Sequence, residues 1–220
     1  MIRHRRKARS ATLTLILLNV AIFFIVFPIV LFKRDLMDYL ALKPIAVAQG
    51  QMIWTLVTSM FMHGGPFHLF ANMISLMFIG GFLEKLIGKK RFLGIYFASA
   101  LMGALFFVVL ALLFGGQGNG IFGDPSMGAV GASAAIFGIA GMLAILTPKL
   151  PVYIMFIPIA MPMWFGVILI MFGLWSISAA ANLPVGNTAH FGGLLAGIAY
   201  AIYLKIKYKR KTHMISMHYR

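Results

Sequence analysis

Cysteine is absent from this 220-residue chain, and acidic residues are nearly absent, with four Asp and Glu in total. The lack of cysteine excludes disulfides and thiolate catalysis. Charged residues make up 10% of the chain and hydrophobic residues 61%. A typical soluble domain carries about 25% charged residues. The composition therefore indicates a polytopic membrane protein, and we expect residues 1–220 to form a single domain.

Six apolar runs are long enough to be membrane helices, which need roughly 20 residues each. They predict an all-α fold, a bundle of six transmembrane helices at about 11–32, 67–87, 92–114, 130–146, 152–180 and 188–206. The basic N-terminus resembles the start of a signal peptide. The apolar run behind it is too long for one, and no small-residue cleavage site follows, so we expect a retained first span.

The net charge of +15 is distributed unevenly between the predicted loops. If the N-terminus is cytoplasmic, 16 of the 19 Lys and Arg fall in inner segments, and only Lys33, Arg34 and Lys43 fall in outer ones. Cytoplasmic loops of membrane proteins carry an excess of Lys and Arg. The pattern predicts a cytoplasmic N-terminus (1–10) and a cytoplasmic tail (207–220), and it accounts for the charge without nucleic acid as a partner.

A single hydroxyl stands among small residues in Gly131-Ala132-Ser133-Ala134-Ala135, near the start of the fourth span. His190 stands in the first turn of the sixth span. Both spans begin on the outer side, so the two side chains lie at similar depth. Alone, such a serine is typical of a tight helix interface, and such a histidine of an interhelical hydrogen bond. Their matched depth favours a nucleophile and its base.

Small residues at helical spacing predict close packing of the fourth and sixth spans. Gly193 and Gly197 follow His190 by three and seven residues and share its face. Phe137 lies one turn below Ser133, where it can stack on the imidazole. Neutral imidazole can take a serine proton near pH 7. Because no Asp or Glu lies in a span near His190, the sequence predicts a Ser–His dyad rather than a triad.

Two polar donors, His68 and Asn72, stand four residues apart at the outer end of the second span. Donors aimed at a developing oxyanion accelerate acyl transfer, and the backbone amide of Ser133 is a further candidate. The rival interpretation is a metal site of His63, His68 and His190. The spacing fits no HExxH pattern, and the outer carboxylates lie in loops, so we expect neither a metal nor a cofactor.

Together these motifs are similar to those of the rhomboid family of intramembrane serine proteases, and the similarity covers all six spans. The motifs are Gly131-Ala132-Ser133, Ala189-His190 with Gly193 and Gly197, His68 with Asn72, and the outer-loop segments at Trp54 and His63. The resemblance implies that Ser133 is the nucleophile and His190 the base. It also implies an oxyanion hole formed by His68, Asn72 and the Ser133 amide.

The resemblance further implies cleavage of transmembrane protein substrates near their outer ends, without a cofactor. We expect the site to open to the outer side, in the plasma membrane. Two positions depart from the family pattern: Ala134 replaces the usual glycine after the serine, and Thr55 replaces the usual arginine after Trp54. The main alternative is an inactive rhomboid-like protein that binds membrane clients. A transporter is less favoured because no buried acid offers an ion-coupling site.

Overall fold

The computed structural model describes residues 10–117, 121–154, 157–181 and 186–219. Its helices are α1 (Ala11–Phe32), α2 (Asp35–Leu40), α3 (Pro44–Ala48), α4 (Thr55–Thr58), α5 (Pro66–Ser75), α6 (Gly81–Ile87), α7 (Lys89–Phe114), α8 (Ser133–Leu146), α9 (Met163–Ala181), α10 (Asn187–Lys207) and α11 (Lys209–His218). A 3-10 turn at Ser59–Phe61 follows α4, and a π turn at Leu76–Gly80 joins α5 to α6. Strands β1 (Pro151–Ile154) and β2 (Ile157–Pro162) form a hairpin before α9.

Within the described residues, five continuous helices are long and apolar enough to cross a membrane: Ala11–Phe32, Pro66–Ile87, Lys89–Phe114, Met163–Ala181 and Asn187–Lys207. The sixth apolar helix, α8, has only 14 residues. Its length of about 21 Å is less than the roughly 30 Å of a bilayer core. The predicted polytopic helical bundle is confirmed, with a fourth helix shorter than a full span.

Helix α8 is the centre of the bundle, and every residue from Ala134 to Leu143 is buried. It packs against α7 and α10 through glycine. A Cβ added at Gly193 or Gly197 would overlap the backbone of Ala134 or Gly138. In a bilayer the hydrophobic effect does not bring helices together, because the lipid tails are as apolar as the side chains. Helix association therefore depends on close van der Waals contacts such as these. The small-residue spacing of α10 therefore fixes where its first turn meets α8.

Alanine at Gly197 is expected to destabilise the protein by about 1–3 kcal/mol, as overpacking does. The added Cβ meets the Gly138 backbone, which cannot rotate away as a side chain would. Gly94→Ala on α7 is the matched control, since nothing lies within 4 Å of its added Cβ. Thermal unfolding in one detergent should give a lower Tm for Gly197→Ala only. Equal melting of the two variants would contradict the close packing.

The predicted fifth span, 152–180, is wrong in its first part. Residues 151–154 and 157–162 pair as an antiparallel hairpin, and α9 begins only at Met163. Three prolines lie within 151–162, and proline removes a helical N–H and clashes with the preceding turn. The valine and isoleucine between them suit strands. The hairpin segment and α9 are both apolar, so hydropathy alone does not distinguish a buried strand from a helix.

Glu84, in α6, holds the start of α1. Its carboxylate accepts hydrogen bonds from Ser10 Oγ at 2.6 Å, Ala11 N at 2.7 Å, Thr12 N at 2.9 Å and Thr12 Oγ1 at 2.8 Å. A carboxylate suits a helix N-terminus because the first amides are unpaired and carry partial positive charge. The start of α1 and the α6–α7 turn therefore lie at the same end of the bundle.

Both described chain ends lie at this end of the bundle, because Tyr208, after α10, contacts Arg91 at the start of α7. From the charge distribution we expect this end to be cytoplasmic. Reporter fusions at Gly116 and Asn182 should read external, and a fusion after Lys209 internal; Asn182 lies outside the described residues. An external reading after Lys209 would contradict this orientation.

Candidate active site

Ser133 is the first residue of α8, and His190 lies in the first turn of α10. Close packing of the two helices brings Ser133 Oγ to 2.8 Å from His190 Nε2, within hydrogen-bonding distance. The histidine is buried, with 8% of its surface exposed, whereas Ser133 is half-buried. A hydroxyl in contact with a ring nitrogen is the arrangement that a serine nucleophile and its general base require.

On the far side of the His190 ring, the described residues place no carboxylate within hydrogen-bonding distance. Its Nδ1 atom is buried and has no hydrogen-bond partner in the described part of the chain. The ring of Phe137 stacks on the imidazole instead, with centroids 4.7 Å apart and planes 25° apart. The face of an aromatic ring is electron-rich. Phe137 therefore restricts the plane of the imidazole ring, and its face would favour a positive charge on that ring.

The segment before Ser133 is tied to the segment between α1 and α5, which the sequence predicts to be the first outer loop. Leu42 and Ala129 exchange two backbone hydrogen bonds of 2.9 Å, and the Gly131 N–H donates to the Ser59 carbonyl oxygen at 2.9 Å. Trp54 belongs to the same loop and donates its indole N–H to the carbonyl oxygen of Tyr39 at 2.9 Å. The loop therefore positions the strand-like approach to α8, and with it the Ser133 hydroxyl.

Gly131 is required by both its conformation and its surroundings. Its φ of +124° lies in a region that L side chains rarely adopt. A Cβ built there would lie 2.9 Å from His68 Nε2 and 3.6 Å from Ser133 Oγ. The imidazole of His68 and the serine hydroxyl thus converge on one point beside the Gly131 backbone.

The tautomer of His68 follows from its hydrogen bond. The Gly64 N–H points at His68 Nδ1 at 3.4 Å, so Nδ1 is the acceptor and the neutral ring carries its proton on Nε2. That N–H lies on the side of the ring next to Gly131. The His63 ring packs edge-on against His68, with centroids 5.3 Å apart. Burial, and then the neighbouring His68, lowers the pKa of His63 to about 4, so His63 is neutral at pH 7.

Asn72 is buried one turn after His68 on α5. Its Nδ2 donates to the His68 carbonyl oxygen at 2.8 Å, which holds the side chain along the helix toward the N-terminal end of α5. A primary amide has two N–H donors, so one remains available. The structure thus places His68 and Asn72 on one face of α5, and it brings His68 next to Gly131.

The described residues contain no group of three His, Cys, Asp or Glu side chains able to hold a metal ion. His63 pairs with His68, and His190 pairs with Ser133. Sequence reasoning missed the third helix of the site. In α7, Gly103 faces Ala189 and Ala134, and Ser99 faces Gly138. The signal was present, because Ser99 and Gly103 are small residues four apart on one helix face.

The sequence model of one protein family, described as the Rhomboid domain, matches residues 50–207. Three relatives with curated names show the range of similarity. RHOMBOID-like protein 5 of Arabidopsis thaliana is 36% identical over 171 residues, 76% of this chain and 50% of the relative. Rhomboid protease GlpG of Yersinia pseudotuberculosis is 25% identical over 199 residues, 90% of this chain and 64% of the relative. Inactive RHOMBOID-like protein 8 of Arabidopsis thaliana is 38% identical over 98 residues, 44% of this chain and 24% of the relative.

The chain thus matches less than two thirds of the length of each of these three relatives. The family model covers α4 to α10, including the segments that carry Ser133 and His190, and it ends before α11.

Proposed function

The chain belongs to the rhomboid family, and from this we propose that it is an intramembrane serine endopeptidase that uses Ser133 and His190 to cleave transmembrane segments. One observation carries the proposal: the 2.8 Å contact between Ser133 Oγ and His190 Nε2 at the outer ends of two tightly packed helices. The similarity to a rhomboid protease over 90% of the chain supports it.

The proposed reaction begins when His190 Nε2 accepts the Ser133 hydroxyl proton as Oγ attacks the scissile carbonyl carbon. The C=O π bond opens, and the negative charge moves to the carbonyl oxygen. His190 then returns the proton to the leaving amine nitrogen as the C–N bond breaks. Water, deprotonated by His190, attacks the acyl-enzyme ester, and collapse of that second intermediate releases the acid and restores Ser133.

The oxyanion is proposed to accept hydrogen bonds from three donors. The Ser133 N–H is one of the first amides of α8 and is unpaired within the helix, at its positive end. His68 Nε2–H and the free N–H of Asn72 are the other two. A buried site of this kind strengthens each hydrogen bond, because water does not screen the charge.

The substrate class follows from the surroundings of Ser133. Because α8 is about 21 Å long, it cannot cross a core of roughly 30 Å, so its ends do not both reach the membrane surfaces. Phe67 and Phe70, in the same part of α5 as His68, are 63% and 55% exposed. The outer end of an apolar transmembrane segment of a substrate would suit these surroundings. We propose transmembrane proteins as substrates and the plasma membrane as the location.

A second candidate function is that of an inactive rhomboid-like protein that binds membrane clients. It is favoured by the similarity to a relative whose name calls it inactive. Such a protein would need the helix packing but not the contact between Ser133 and His190. The two functions therefore differ in whether Ser133 is chemically reactive.

The purified protein is expected to react with a fluorophosphonate probe, which labels activated serines, whereas Ser133→Ala is not. Labelling should persist in EDTA, because the proposed reaction uses no metal. Gel fluorescence of both proteins, with folding checked by circular dichroism, is the measurement. Folded wild-type protein that stays unlabelled but still captures a single-span protein would favour the client-binding alternative. Loss of labelling in EDTA that zinc restores would favour the metal site.

A further inference from the structure

The end of the bundle opposite to the Ser133–His190 pair carries two cations on one aromatic ring. The Arg91 guanidinium carbon lies 5.1 Å from the Tyr208 ring centroid, and Lys207 Nζ lies 5.8 Å from the same centroid. Arg91 Nη2 also donates to the Tyr208 hydroxyl at 3.4 Å. We refer to Arg91, Lys207 and Tyr208 as the cation clamp.

Among the described residues, no carboxylate forms an ion pair with the clamp. All four acidic residues lie in the described part of the chain, and three of them, in α2 and the 121–127 loop, lie at the other end of the bundle. The fourth, Glu84, is occupied by its hydrogen bonds to the start of α1. The only ion pair among the described residues joins Lys43 to Asp38. Two like charges held together in this way favour an anion between them.

The clamp lies at the level where a membrane has its headgroups. It stands where the spanning helix Asn187–Lys207 ends and the spanning helix Lys89–Phe114 begins. Tyr203, largely exposed, lies one turn before and accepts a hydrogen bond from Lys207 Nζ at 2.7 Å. Tyrosine is enriched at this level because its ring prefers the apolar side and its hydroxyl the water side.

Helix α11 extends the basic surface along the same end of the bundle. It begins directly after Tyr208, and Tyr219 after its last turn contacts Phe82 of α6 edge-on, with centroids 5.1 Å apart. Lys209, Arg210 and Lys211 are exposed in its first turn. Met214 and Met217 are 56% and 49% exposed and share a face with Arg210. Exposed apolar residues beside Lys and Arg are typical of helices that lie in a membrane interface.

We propose that the cation clamp and the first turn of α11 bind the phosphate of an anionic phospholipid headgroup. The Arg91 guanidinium and the Lys207 ammonium donate to the phosphate oxygens, which suits the forked donors of arginine and the point charge of lysine. Met214 and Met217 enter the acyl boundary beside it. An anionic lipid thereby anchors the end of the bundle farthest from Ser133, independently of any catalytic activity.

The test is native mass spectrometry of the full-length protein in a neutral detergent, titrated with phosphatidylglycerol or phosphatidylcholine. We expect tighter binding of phosphatidylglycerol. Arg91→Gln combined with Lys207→Gln should weaken it about 20- to 30-fold, since a cation at a membrane surface contributes roughly a factor of five. Lys209→Gln combined with Lys211→Gln should also weaken phosphatidylglycerol binding. This second variant tests the proposal if the first one fails to fold.

The matched control removes the same two charge types from the other end of the bundle. Lys33 and Arg34 are exposed and directly precede Asp35, so Lys33→Gln with Arg34→Gln should change phosphatidylglycerol binding less than about three-fold. Equal affinity for the two lipids, or equal loss in control and clamp variants, would overturn the proposal. So would inorganic phosphate or a single-stranded oligonucleotide that displaces phosphatidylglycerol at equal concentration, since the site would then not be specific for lipid.

Discussion

Replacement of Ser133 by alanine is expected to lower kcat/KM for cleavage of a single-span substrate by roughly 10⁴- to 10⁶-fold, the range in which loss of a serine nucleophile falls. The hydroxyl oxygen forms the acyl-enzyme bond of the proposed reaction, and it lies 2.8 Å from its base. His190→Ala should give a loss of similar size, because the two residues act as a unit. Cleavage in proteoliposomes, measured by the appearance of the two fragments, provides the rates.

A second serine provides the control for this experiment. Ser99 is buried in α7 next to Gly138 of α8, yet it lies outside the proposed chemistry. Ser99→Ala should retain cleavage within a few-fold of wild type and unfold at a similar temperature. If Ser133→Ala cleaves as fast as Ser99→Ala, the nucleophile is another residue and the proposed mechanism is wrong.

Replacement of Asn72 by alanine is expected to lower kcat by about 10²–10³, the usual effect of removing one oxyanion donor. The amide matters most when the scissile carbonyl becomes tetrahedral, so KM should change little. Residual activity should remain, because His68 and the Ser133 amide still donate. Initial rates over a range of substrate concentrations, measured together with Tm on one preparation, separate the two parameters.

The competing explanation for Asn72 is a purely structural role, since its Nδ2 already donates to the His68 carbonyl oxygen. In that case Tm would fall and turnover per folded molecule would stay nearly normal. Ser75→Ala is a matched control on the same helix, because Ser75 Oγ also donates to a carbonyl four residues back, that of Ala71. A fall in kcat with Asn72→Ala but not with Ser75→Ala would separate oxyanion binding from helix packing.

Composition and hydropathy alone indicate the class of protein and the approximate positions of most of its apolar helices. With four acidic residues in 220 and several long apolar runs, the composition indicates a helical membrane protein. A bilayer requires spanning helices to be apolar and about 20 residues long, so composition and run length report them directly. The sequence also indicated the pair Ser133 and His190, since charge asymmetry and helical rise together predict depth. When two residues lie at the same depth on helices that pack closely through glycine, the sequence alone predicts that they are near each other.

Tertiary structure decided what depends on contacts between segments far apart in the chain. The hairpin at 151–162 is an exception, since proline and pairing between neighbouring segments outweigh hydropathy there. The convergence of His68, Gly131 and Ser133 depends on the first outer loop, whose Ser59 carbonyl fixes the Gly131 backbone. The clamp at Tyr208 depends on where α7 begins relative to the end of α10. Periodicity reports the faces of single helices, whereas hydrogen bonds and packing between distant segments set the distances on which chemistry depends.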